Sequence, residues 1–144
     1  DKFVKLPIIK RYGKNIEKAN IKFGSPESKP LTVAAFEQIF TELDKLSKQI
    51  NEGAKKEAEI SVNKENGKII VSRYKLSIMI YMPGDRSIRV QEQNSLRCSR
   101  LTYSIELRNK IWNKEYWHLD NYGFITIKSF VVKVLDAFVI HSNY

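Results

Sequence analysis

The chain has one cysteine, Cys98, and two histidines, His118 and His141, among its 144 residues. A lone cysteine cannot close an internal disulfide, and it fits a reducing interior. Its neighbours Arg97, Ser99 and Arg100 would favour a thiolate; an unreactive thiol is the simpler expectation. Two well-separated histidines and one cysteine are too few and too scattered for a metal site. His118 stands two residues from Asp120, a spacing that permits a base with a carboxylate partner. A surface histidine in an aromatic loop is the favoured reading. The six glycines (Gly13, Gly24, Gly53, Gly67, Gly84 and Gly123) are dispersed, so no glycine-rich phosphate loop exists. The longest apolar runs, 78–82 and 130–140, are too short or are broken by Lys133 and Asp136, so no membrane-spanning helix is expected. The chain opens on Asp1, without methionine, as a processed or trimmed form would. These absences lead to an expectation of no enzyme activity, no cofactor and no metal.

Positive charge is abundant. The formal net charge is +9, from 25 Lys and Arg against 16 Asp and Glu. Residues 1–30 carry eight basic side chains against three acidic ones, and residues 61–100 carry eight against three, whereas residues 31–60 carry four against six. Two readings stay open: a polyanion partner on the side of the basic segments, or charge that serves solubility alone.

Two stretches share one pattern. Leu31-Thr32-Val33-Ala34-Ala35-Phe36 and Ile125-Thr126-Ile127-Lys128-Ser129-Phe130 both read apolar-Thr-apolar-x-x-Phe, with further apolar positions at helical spacing. The pattern predicts a strand running straight into a helix, used twice. In the first copy Thr32 is the expected cap and Leu31 staples against Phe36. Phe36, Ile39, Leu43, Leu46 and Ile50 make a narrow stripe, which either covers a sheet or also faces another subunit. In the second copy Ser129 is the expected cap. Ahead of the first helix, 3–12 and 20–23 read as short strands, the former an edge strand because of Pro7.

Between the helices the period is two. Ile60 and Val62 begin a strand, Asn66-Gly67 marks a tight hairpin, and strands follow over 68–74, 76–82, 87–91 and 101–108, with a turn at Pro83-Gly84. Residues 109–122, with Trp112, Tyr116, Trp117 and Tyr122, read as a loop with a strand margin. Strands followed by a helix, without βαβ alternation, make the fold class α+β. The expected organisation is a single domain of two pseudo-repeats, about 1–57 and 58–144, with the helices on one side of the sheets.

Such a sheet would leave its other face free. Arg73 and Lys75 share strand parity, as do Ser87, Arg89 and Gln91. Thr102, Ser104 and Arg108 oppose Leu101, Tyr103, Ile105 and Leu107. Cations interleaved with Ser, Thr and Gln suit phosphate oxygens without reading bases. Arg86, Arg97, Arg100, Lys110 and Lys114 would border the face, with Lys10, Arg11 and Lys22 added from the N-terminal segment. Tyr81, Tyr103, Trp112, Tyr116 and Trp117 are either stacking platforms or packing residues. The expected partner is RNA or single-stranded DNA; a protein-assembly module without nucleic-acid binding is the alternative.

The two strand-to-helix units at 30–43 and 123–138, separated by an antiparallel meander, resemble the Whirly-type single-stranded nucleic-acid-binding fold. Within that group the pattern is most similar to the kinetoplastid mitochondrial guide-RNA-binding proteins. The resemblance implies duplicated sheets with helices between them, a tetramer, and RNA held by its phosphates with bases outward. It also implies annealing of guide RNA to mRNA in RNA editing, and a mitochondrial location.

Overall fold

The computed structural model describes residues 28–93, 101–112 and 114–143. Helix α1 (Ser28–Asn51) leads through a single 3-10 turn (Lys56–Ala58) into seven strands. These are β1 (Ser61–Glu65), β2 (Lys68–Arg73), β3 (Leu76–Gly84), β4 (Ser87–Glu92), β5 (Tyr103–Ile111), β6 (Lys114–Leu119) and β7 (Gly123–Ile125). Helix α2 (Ile127–Ser142) follows. All seven strands form one antiparallel meander in chain order, with β1 and β7 outermost among the described residues. The class is α+β, as the alternation of the central segments requires.

The β1–β2 hairpin is set by Asn66 and Gly67, both at positive φ (51° and 73°), which is the twist a two-residue type I′ turn needs. Register then carries two apolar rows across the sheet. Ile69 pairs with Ile80, Ile80 with Val90, Ile88 with Ile105, and Ile105 with Leu119. Each of these residues is buried, and Phe36, Ile39 and Leu43 of α1 join them in one core with Phe130, Val134 and Phe138 of α2. Both helices therefore cover the same side. Each such side chain removed from water contributes about 2 kcal/mol, before the cost of ordering it.

Among the described residues the strand-into-helix junction occurs once. Ile125 ends β7, Thr126 is extended, and Ile127 begins α2. Thr126, rather than Ser129, is the cap: its hydroxyl accepts a hydrogen bond from the Ser129 backbone N–H at 3.1 Å. At the other copy Leu31, Thr32 and Val33 are helical, and the expectation that Val33 ends a strand is overturned. Thr32 is buried inside α1, where its Oγ1 donates to the Ser28 carbonyl at 2.9 Å, one turn back. Pro30 is tolerated because the first-turn N–H groups of a helix have no intrahelical acceptor. The strands expected over 3–12 and 20–23 lie outside the described residues.

Two further expectations change. The α1 stripe stops short of Ile50, which is 48 % exposed, while Ser47 is buried in its place. A 3-4-3-4 stripe drifts around a straight helix by about 20° per heptad, so its last member leaves the interface. Residues 109–122, expected as a loop, form the β5–β6 hairpin and the turn into β7. Trp117 and Leu119 alternate into the core there, which gives the aromatic run a strand's environment.

Candidate nucleic-acid interface

Burying one face of the sheet turns the alternate residues of every strand the other way. Ladder register identifies the rows of this open face. Asn63, Ile70, Met79 and Gln91 form one row, and Tyr81, Arg89 and Ser104 form the next. Ser87, Glu106, His118 and Phe124 form a third. No helix among the described residues packs on these rows.

Polar side chains on the face are linked to one another. Ser72 and Ser77 hydroxyls lie 3.1 Å apart, Ser77 donates to Gln93 Oε1 at 2.8 Å, and Tyr81 donates to Gln91 Oε1 at 3.2 Å. Towards β7, Phe124 meets His118 and Tyr116 edge to face, at centroid distances of 5.6 and 6.0 Å. His118 Nδ1 is buried there without a hydrogen-bond partner, and no hydrogen bond joins His118 to Asp120 among the described residues.

The expected cations are placed unevenly. Arg89 is exposed in the middle of the face and has no ion-pair or hydrogen-bond partner among the described residues. Arg108 and Arg86 reach the same area, but both meet Glu106: Arg108 Nε lies 2.8 Å from Oε1 and Arg86 Nη2 lies 3.5 Å from Oε2. Arg108 owes its position to a β-bulge. Leu107 pairs with Trp117 and Asn109 with Tyr116, which leaves Arg108 as the extra residue. Past the bulge, Lys110 stands opposite Glu115, on the ladder parity of Trp117. Lys114 begins β6, its ammonium 5.3 Å from the Tyr116 ring centroid. Lys75 is exposed in the β2–β3 turn.

Arg73 is not on the open face. It pairs with Leu76 at the helix-side parity of the sheet, and its guanidinium donates to the Ala58 carbonyl, Ser142 Oγ and Asn143 Oδ1 at 2.9–3.0 Å. It tethers the end of α2 to β2, a place where a cation also complements the helix dipole. Sharing parity with Lys75 did not put the two side by side, because the chain turns between them. Lys10, Arg11, Lys22, Arg97 and Arg100 lie outside the described residues, as does Cys98.

Of the five candidate platforms, Tyr81 and Tyr116 are on the open face, and Trp112 is 67 % exposed at the β5–β6 turn. Tyr103 and Trp117 belong to the helix side, so neither is available for stacking. Burial raises the Tyr103 phenol above its ordinary value.

No family model, curated protein or solved structure matches this chain. Among the described residues there is no group of three or more potential metal ligands, and no helix is long and apolar enough to cross a membrane.

Glu106 is the residue on which sequence reasoning laid too little weight. The alternation Thr102, Ser104, Glu106, Arg108 already set it on the basic row, but its ion pairs depend on the β5 bulge and on the β3–β4 turn that brings Arg86 alongside.

Proposed function

We propose that the chain binds single-stranded nucleic acid, RNA first of all, along the open sheet face, holding the strand by its phosphates. The observation that carries this is Arg89: an exposed guanidinium with no partner among the described residues, at the centre of a sheet face on which no described helix packs. Tyr81 and Ser104 flank it across the ladder and offer a ring and a hydroxyl. Trp112 is exposed at the β5–β6 turn, at the far end of β5. Ser104 and Trp112 are eight residues apart, about 25 Å at strand rise, a length over which several nucleotides can lie. A strand held by its backbone keeps its bases free to pair, so annealing of complementary RNA is the activity expected of such a face. Guide RNA and mRNA in a mitochondrial editing system are the substrates the sequence pattern suggests.

Binding through phosphates must weaken with salt, with a log–log slope of about −0.7 for each contact on a single strand. Titrating a labelled homopolymer across a salt series tests this; affinity indifferent to salt would overturn it.

Assembly through the helix layer is the second reading. Its supporting observation is the exposed pair Val132 and Ile140 on α2. Sedimentation of the nuclease-treated protein separates a stable oligomer from a monomer.

A further inference from the structure

Of the guanidinium groups that reach the open face, two are already occupied by one carboxylate. We propose that Glu106 is a latch: it holds Arg108 and Arg86 until a nucleic-acid phosphate displaces it, and so sets how many phosphates the face engages. The inference rests on the single-strand binding proposed above and concerns the regulation of that same surface.

Three features support it. The first is position. Glu106 is bracketed in the ladder by Ser87 and His118, inside the open face and one row from Arg89 and Ser104. An incoming phosphate must pass close to this carboxylate.

The second is the contrast between two kinds of arginine site. Arg73 is committed to three protein acceptors at 2.9–3.0 Å, and two of them are at the end of a helix, so releasing it would open the fold. Arg108 and Arg86 meet Glu106 with 42 % and 31 % of their side-chain surfaces exposed, and Glu106 itself is 32 % exposed. Arg108, the more exposed of the two, has no other partner among the described residues, so its pair with Glu106 can be exchanged without disturbing the contact between sheet and helices. On Arg86, whose Nη1 is buried, Nη2 is the atom that changes partner.

The third is chemical equivalence. A phosphate diester offers a guanidinium two anionic oxygens, much as a carboxylate does, so phosphate can replace Glu106 with similar hydrogen-bond geometry. In the free protein Glu106 engages both guanidiniums and offsets one of their two charges. In the complex it is set aside, and the face gains two phosphate contacts. Weak or isolated phosphates fail to open it, whereas a continuous strand anchored first at Arg89 delivers the next phosphate at high local concentration.

The test measures the affinity of a fluorescein-labelled uridine 20-mer across a salt series, for the wild-type chain, E106Q, R86Q/R108Q and the triple variant. Removing the latch should tighten binding on the order of tenfold at 0.1 M salt and steepen the log–log slope by about 0.7 for each guanidinium released. The gain should vanish in the R86Q/R108Q background, since there is nothing left to release. E106A, checked for folding by its thermal transition, should move in the same direction as E106Q. If the wild type binds with a salt slope and E106Q binds no tighter, the latch is wrong and the binding surface stands. An E106Q gain that persists undiminished in R86Q/R108Q also overturns it, because the carboxylate would then act only by general repulsion. If no variant binds the 20-mer at any salt concentration, the binding proposal itself fails and the latch fails with it.

Discussion

Asn51 and Ile60 are joined by two hydrogen bonds that imitate a strand pair. The Asn51 amide donates to the Ile60 carbonyl at 2.9 Å, and its Oδ1 accepts from the Ile60 N–H at 2.7 Å. Asn51 is the last residue of α1, and Ile60 is a core residue just ahead of β1. One side chain thus fixes how the helix layer meets the first edge of the sheet and satisfies two backbone groups that β1 cannot pair itself.

Asn51→Ala should therefore cost about 2–3 kcal/mol, roughly 1 kcal/mol for each bond plus the penalty of leaving buried backbone groups unpaired. Asn51→Asp keeps the acceptor and loses the donor, so it should fall between the alanine variant and the wild type. Chemical denaturation of the three proteins checks the order.

Arg73 should behave as a structural residue despite its charge. Replacing it with Met removes three charge-assisted bonds, two at the end of α2 and one to the Ala58 carbonyl, and should destabilise the fold by about 2 kcal/mol. Lysine should restore only part of this, since one ammonium cannot reproduce the guanidinium fork. Affinity for a single strand should change by less than about twofold, because Arg73 lies off the open face. A large loss of binding in a folded R73M protein would contradict that placement.

The fold class was legible because the central strands alternate without interruption and because Asn66-Gly67 dictates its own turn. The row Ile78, Ile80, Ile88 and Val90 is visible in the sequence as every second residue, and the free face follows from its complement. The two Thr-centred junctions were not equivalent, and local pattern could not tell them apart. Three residues that alternate apolar-Thr-apolar satisfy either period over so short a span. Thr126 caps a helix, whereas Thr32 hydrogen-bonds back inside one. Arg73 was misread for a related reason. Parity says which face a residue points to, but the carbonyl at Ala58 and the hydroxyl at Ser142 that claim its guanidinium come from distant parts of the chain.

Tyr103 gives the protein an alkaline limit. Burial raises its phenol, so the folded state keeps a proton that the unfolded chain releases near pH 10. The associated stability is present below about pH 10 and is lost as pH rises through the folded value. Titration of tyrosinate absorbance should show a late component that Tyr103→Phe removes. An unchanged late component in that variant would assign it elsewhere.

The central claim is that charge on the open face, not the net charge of +9, holds the strand. Lys45 is exposed on α1, on the helix layer, so Lys45→Glu makes the same change in net charge as Arg89→Glu on the other side of the sheet. The decisive measurement compares the affinity of these two variants for a single-stranded homopolymer at 0.1 M salt. Arg89→Glu should weaken binding by about tenfold or more and flatten the salt slope by about 0.7, while Lys45→Glu changes it by less than about twofold. Equal losses in the two proteins would contradict the account and leave only a general attraction between a basic protein and a polyanion.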